Sequence, residues 1–268
     1  MTAESNGRGY GTGRTPEPAQ SREGLSEIAK GQFVQYAFYT LGPAWRWLPA
    51  EVRATHRQEL LDVVADFGGE VAVRSYSLIG LRADADLLLW NVAAELVSLQ
   101  RLGTALRGTA MGAYLRAAYS YLAVTKRSIY VTRHTHAGQD GQRLRMRPSG
   151  AKYLFVYPFV KTRAWYKLSL AARQGMMDEH IAIGHKYPSV KLNTTYSFGL
   201  DDQEFVVAFE TDEPRDFVDL VQDLRETEAS LYTLRDTPIF SCVSMSLPEA
   251  LEALGESAVA LPTLETVR

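Results

Sequence analysis

The side chains able to hold a metal or move a proton are few enough to weigh one by one. The chain of 268 residues has five histidines and a single cysteine, Cys242. One cysteine forms no internal disulfide and no thiolate cluster; among apolar neighbours in a strand pattern, Cys242 reads as an inert core thiol. His56 lies in an amphipathic segment with Arg53, Arg57 and Gln58 and reads as a solvated surface residue. His134 and His136 form an H-x-H pair in an arginine-rich stretch. With no acidic or third histidine ligand nearby, a solvated loop is the simpler reading of that pair. His185 follows Gly184 and precedes Lys186, where a cation complements the C-terminal end of a helix.

His180 is different. Met176 and Met177 stand at i−4 and i−3 and Ile183 at i+3, so its imidazole projects from an apolar, sulfur-bearing helical stripe. Two readings stay open at this point. One is a core histidine satisfied by a neighbour. The other is the proximal ligand of a haem iron, a neutral imidazole in an apolar pocket whose second nitrogen is oriented by a carboxylate. Glu228, with Glu226 as the fallback, is the carboxylate on the next helix placed to orient it. No Walker loop, G-x-S-x-G elbow or H-E-x-x-H motif competes.

The elements that must position His180 follow from the two hydrophobic periods. Hydrophobic residues are 46% of the chain, and 29 Lys+Arg face 31 Asp+Glu. A pI near 6.2 argues against a general nucleic-acid binder. No uncharged apolar run approaches the roughly 18 residues of a membrane span, and no secretory leader is visible, so a cytoplasmic protein is expected. Residues 1–27, rich in Gly, Pro and Ser, read as a disordered tail. From there the patterns predict a strand over 32–41, a helix over 43–67, strands over 70–79 and 86–92, a long helical region over 94–122 and a short strand over 128–132. Residues 133–150 read as a linker. The order then repeats: strand 152–160, helix 168–183, strands 190–198 and 204–209, helix 214–230 and strand 238–245. Two tandem β-α-β-β-α-β units, over 28–132 and 151–246, describe an α+β protein of duplicated ferredoxin-like design, the dimeric α+β barrel type. Residues 247–268 are left as a C-terminal tail, whose Leu-rich start is expected to cover a subunit edge.

The second unit resembles the chlorite dismutase superfamily, and most of all its coproheme decarboxylase branch. The motifs stand in the family's order: Tyr157-Pro158-Phe159-Val160-Lys161, the aromatic pair Trp165-Tyr166, and Met176-Met177-x-x-His180-x-x-x-Gly184-x-x-Tyr187. Gly199-Leu200-Asp201-Asp202 and Arg225-x-x-Glu228 follow. The resemblance implies that His180 is the proximal iron ligand, with Met177 beside it on the same helix, and that Glu228 is its hydrogen-bond partner. It implies that Tyr157 is a radical-forming tyrosine, Lys161 the lysine beside the reacting propionate, and Trp165 a pocket wall. The implied activity is peroxide-driven decarboxylation of two propionates of iron-coproporphyrin III (coproheme) to haem b, the last step of a haem biosynthesis, in a cytoplasmic homopentamer. Coproheme is the implied substrate, haem b the product and hydrogen peroxide the oxidant, with the enzyme that delivers coproheme as a possible partner.

One departure separates the branches. Chlorite-degrading members carry a distal arginine on the strand after the proximal helix; here that segment reads Val190-Lys191-Leu192-Asn193, with Leu192 at the matching place. Arginine stabilises an oxyanion by charge-assisted hydrogen bonds, and leucine does not. His134 and His136 are the candidates for a distal base. The linker arginines Arg133, Arg143, Arg145 and Arg147 read most simply as a solvated basic loop, with attraction of a tetra-anionic porphyrin as a lesser role. The alternative readings are a haem peroxidase of the same fold, a haem carrier without turnover, and a ring-forming protein with no cofactor.

Overall fold

Antiparallel strand pairs carry the fold, and each half of the chain arranges four of them in the same order. The structure, a computed structural model, describes residues 31–130, 144–146 and 148–255. In the first half, β1 (Phe33–Leu41), α1 (Ala50–Asp66), β2 (Val71–Ser77), β3 (Leu87–Ala93), α2 (Leu96–Gly108) and β4 (Leu115–Val124) follow in turn. The second half runs β5 (Tyr153–Lys161), the short α3 (Arg163–Lys167), α4 (Leu170–Gly184), β6 (Lys191–Tyr196) and β7 (Phe205–Thr211). It continues through α5 (Pro214–Arg225), β8 (Thr233–Arg235), β9 (Phe240–Met245) and α6 (Leu247–Ala253).

The halves order their strands β4-β1-β3-β2 and β9-β5-β7-β6, the ferredoxin-like pattern twice. They do not stay apart. β2 pairs with β9, β4 pairs with β6, and β5 pairs with β7, so eight antiparallel strands close into one ring, with β8 added only to the end of β5. The β2–β9 seam carries the pairs Ser75↔Met245, Tyr76↔Ser244 and Ser77↔Val243. The β4–β6 seam carries Val124↔Tyr196 alone. The turn after β6 reinforces it: Gly199 takes a left-handed φ of 74°, and the Asp201 carboxylate accepts from the Leu122 backbone N–H at 2.8 Å.

Strand alternation fills the ring. Val34, Tyr36 and Phe38 of β1 point inward with Leu88, Trp90, Leu154, Val156, Val206, Ala208, Phe240 and Cys242, all buried. Phe38 and Phe240 stack with centroids 4.0 Å apart. β3, sequence LLLWNVA, is buried along its whole length because its inner face fills the ring and its outer face lies under helices.

The outer faces of the two halves differ. In the first half, Leu41, Leu60, Leu99, Leu102 and Leu106 seal the sheet under α1 and α2, and α6 completes the layer with Ala250, Leu251 and Leu254. In the second half α4 buries only Met176, and on the adjoining sheet and turn Leu192 is 46% and Phe198 50% exposed. A helix-covered sheet that leaves apolar side chains open is a cleft.

Several expectations need correction. The long helix expected over 94–122 ends at Gly108, and the final strand of the first half is β4, not 128–132. Ala118 is the extra residue of a β-bulge, since Phe38 pairs with Tyr119 and Tyr39 with Ala117. The period-2 signal therefore changes phase inside an Ala-rich run and disguises the strand. The helix expected over 214–230 stops at Arg225, and Glu228–Tyr232 form a 3-10 turn. Residues 247–253 are a helix rather than a tail: Ser246 and Glu249 form a capping box, and the helix packs on the chain's own first half. The tail over 1–27 and most of the linker lie outside the described residues.

Candidate functional site

The cleft of the second half lies between α4 and the outer face of β5, β6 and β7. Ser169 caps α4 by accepting from the Ala172 N–H at 3.2 Å, and Tyr187, just past its end, donates to Asp223 of α5 at 2.9 Å. The first closes the start of the helix, and the second ties its far end to α5. Met176 and Met177 pack with Trp165, Tyr166, Ala229 and Tyr232 into a small cluster of their own.

His180 is half-buried on this helix. Burial, and then the positive Lys161, push its pKa down from 6.5 to about 4. The imidazole is thus neutral at pH 7, with a lone pair free to coordinate. Lys161 ends β5. Its Nζ donates to the Ala229 carbonyl at 2.8 Å and lies 4.6 Å from the Trp165 ring centroid and 5.3 Å from that of Phe159. Burial brings its pKa down to about 8, with Glu204 opposing the fall. A cation over an indole face beside a neutral imidazole is an anchor for an anionic group at the edge of an apolar ligand.

Tyr157 shares the outer face of β5 with Lys161, four residues earlier. It stacks on Phe209 at 5.9 Å, and burial pushes its phenol pKa up. Its hydroxyl makes no hydrogen bond among the described residues, and its nearest charged influences are Asp236 and Arg225, themselves paired at 2.7 Å. Leu192 stands on β6 opposite Phe209 and is exposed. The structure thus brings His180, Lys161, Trp165 and Met177 to one end of the cleft. Tyr157 joins the neighbouring cluster with Ile183 of α4, one turn beyond His180.

Glu228 is exposed at the start of the 3-10 turn, and no hydrogen bond joins it to His180 among the described residues. His134, His136, Arg133, Arg143 and Arg147 lie outside the described residues; Arg145 is exposed. His56 is not the solvated residue expected: half-buried, it stacks on Tyr114 at 6.2 Å. His185 is the exposed C-cap residue of α4, and Cys242 is buried in the ring with its thiol pKa raised by burial. Sequence reasoning missed Glu204, a buried acid at the start of β7 that touches Lys161 and Tyr166. Its signal was an acidic residue opening an apolar strand.

Among the described residues no group of three His, Cys, Asp or Glu side chains converges on a bare metal ion. A neutral imidazole on an apolar helix face suits an iron that brings its other donors with it, as a porphyrin does. The open apolar side chains, that imidazole and the half-buried Lys161 ammonium fit such a group.

The chain is similar to known proteins of one family. The family described as chlorite dismutase matches residues 53–245. A coproheme decarboxylase of Mycolicibacterium smegmatis is 32% identical over 205 residues, 74% of this chain and 86% of its own. One of Staphylococcus carnosus is 30% identical over 228 residues, 76% of this chain and 88% of its own. The solved chlorite dismutase of Candidatus Nitrospira defluvii in complex with imidazole superposes with a TM-score of 0.78 at 29% identity, covering 88% of this chain and 99% of that one. A heme-binding protein of Thermus thermophilus gives a TM-score of 0.74 at 27% identity, covering 84% and 94%.

Proposed function

The chain belongs to the chlorite dismutase family, and on that premise we propose that it is a coproheme decarboxylase, converting iron-coproporphyrin III to haem b with hydrogen peroxide. The relatives named coproheme decarboxylase support the reading. The observation that carries it is Lys161: an ammonium held over Trp165 and beside His180, at the edge of an apolar surface. That arrangement suits a porphyrin propionate. Leu192, where a chlorite-degrading enzyme keeps an arginine, removes the oxyanion partner that chlorite requires.

Bound iron porphyrin supplies the one-electron oxidising chemistry that peroxide initiates. His180 would hold the iron through its imidazole lone pair, with Met177 packing beside it. Glu228, exposed at the start of the 3-10 turn, is the carboxylate assigned to orient it. Tyr157 gives up an electron and a proton together, then takes a hydrogen atom from the β-carbon of the propionate. Lys161 holds the carboxylate by charge until it leaves as carbon dioxide, and Trp165 keeps water from the ammonium. For each vinyl group formed, one peroxide is reduced to two waters. The unit boundaries drawn above, a homopentameric ring, a cytoplasmic location and delivery of coproheme by a partner enzyme belong to the same reading. Among the described residues no helix is long and apolar enough to cross a membrane.

The test is a peroxide titration of protein loaded with iron coproporphyrin III, read by mass spectrometry of the porphyrin, beside a Tyr157→Phe variant. Successive loss of two carboxyl groups in the wild type and none in the variant is expected. Porphyrin that binds and only bleaches overturns the decarboxylase in favour of a peroxidase or carrier. Failure to bind returns His180 to the role of a core histidine.

A further inference from the structure

Glu204 is 8% exposed, an acid buried immediately before β7 and the apolar run Phe205–Phe209. Its own backbone is fixed, the N–H donating to Phe159 at 3.2 Å and the carbonyl accepting from Ser197 at 2.8 Å. One carboxylate oxygen, Oε2, accepts twice: from the Lys161 backbone N–H at 2.8 Å and from the Tyr166 hydroxyl at 2.5 Å. The other, Oε1, has the exposed Arg163 guanidinium at 4.0 Å. A charged acceptor strengthens such bonds relative to neutral ones.

The two partners of Oε2 belong to different elements, and both bear on the same cation. Lys161 is the last residue of β5, paired there with Thr233 of β8, and the next residue, Thr162, donates to the Tyr232 carbonyl at 2.8 Å; Glu204 is the side-chain acceptor of the Lys161 N–H. Tyr166 is in α3 beside Trp165, whose ring lies under the Lys161 ammonium. A five-residue helix has too few internal bonds to fix its own placement. The Tyr166–Glu204 bond fixes it against β7, and the same oxygen fixes the start of the Lys161 side chain.

We propose that Glu204 is the positioning residue of the Lys161–Trp165 pair, one carboxylate oxygen setting where the ammonium stands relative to the indole face. The inference rests on the reading above only in giving Lys161 an anionic substrate group to hold; the clamp itself is a property of the full chain without substrate. Glu204 acts through Lys161 and Tyr166 and is not itself assigned contact with the porphyrin.

The experiment is reductive methylation of the full-length protein with formaldehyde and a borohydride. Peptide mass spectrometry reads the rate at Lys161 as a ratio to exposed Lys152 in the same molecules. Normalising to Lys152 removes any general loosening of the fold. Burial and the bond to the Ala229 carbonyl slow Lys161 while its lowered pKa speeds it, so the wild-type ratio is the reference. Glu204→Ala and Glu204→Gln remove the same charge, but the Gln amide oxygen still accepts both bonds, so Lys161 is expected to react about threefold faster in Glu204→Ala than in Glu204→Gln. Should Glu204→Ala not fold, Tyr166→Phe decides: it keeps the charge, cuts the tie to α3 and speeds Lys161 relative to the wild type. Equal Lys161 ratios in folded Glu204→Ala and Glu204→Gln, or an unchanged ratio in Tyr166→Phe where the first variant fails to fold, overturn the proposal. A wild type that never decarboxylates coproheme overturns the functional reading and leaves the labelling result standing. Normal turnover with unchanged labelling in the variants overturns the clamp alone.

Discussion

Lowering the pH should reveal how far the fold holds His180 neutral. Its pKa stands at about 4 in the folded chain against 6.5 for a free imidazole. Between those values the unfolded chain binds more protons than the folded one, so stability is complete above pH 6.5 and falls as the pH drops toward 4. Taken whole, the shift corresponds to about 2 kcal/mol lost between pH 7 and pH 5. The ring is half-buried and partly screened, which leaves about 1–2 kcal/mol. For a chain of this size that is a fall in Tm of roughly 2–8 °C attributable to one residue. The assay is thermal unfolding of substrate-free protein across this pH range, beside His180→Gln, which has no proton to gain. The variant should lose less stability on acidification by that amount, and Lys161→Met should shrink the difference by removing the neighbouring positive charge. Equal losses in wild type and His180→Gln would refute the burial argument, and with it the claim that the imidazole is poised to coordinate.

Three further outcomes follow from the fold. Asp201→Ala strips the acceptor from the Leu122 N–H and from Gln203 at 3.0 Å, and should cost about 1–3 kcal/mol in denaturant unfolding, with Asp201→Asn recovering part of it. Leu251→Ala should cost about 2–5 kcal/mol, because Leu251 is fully buried in α6 against the first half; a change within about 0.5 kcal/mol, the ordinary range of a surface site, would mean that α6 does not dock. Gly199→Ala, at a φ of 74°, should lose about 1–2 kcal/mol by chemical denaturation, with no clash involved, since nothing lies within 4 Å of its would-be Cβ.

What could be read from the sequence was whatever repeats or stays local. The strand order came through because Val34-x-Tyr36-x-Phe38 and Val206-x-Ala208 alternate cleanly, and His180 stood out because Met176, Met177 and Ile183 share its helical face. β4 did not come through, because the bulge at Ala118 shifts its alternation in a run that also suits a helix. The joining of two sheets into one ring rests on the β2–β9 and β4–β6 pairings, which are made between segments far apart in sequence and leave no local mark. Within the candidate site, the motif offered Lys161 and Trp165, and the structure brings the two side chains together. The dependence of both on Glu204 was not legible, because it arises where β7, β5 and α3 meet. α6 was legible and overlooked: Ser246-Leu247-Pro248-Glu249 is a helix start by its capping residues alone.

The unequal seams of the ring also bear on how the molecule breathes. A closed barrel opens where the fewest bonds must break at once. That place is the β4–β6 seam, with the pair Val124↔Tyr196 and the Asp201 tie, rather than the three-pair β2–β9 seam. Such an opening frees one edge of β6, which stays paired along its length with β7 and whose outer face carries Leu192 and Thr194. The softest wall of the barrel is therefore the one that borders the candidate site, while the first half keeps its sheet sealed under α1, α2 and α6.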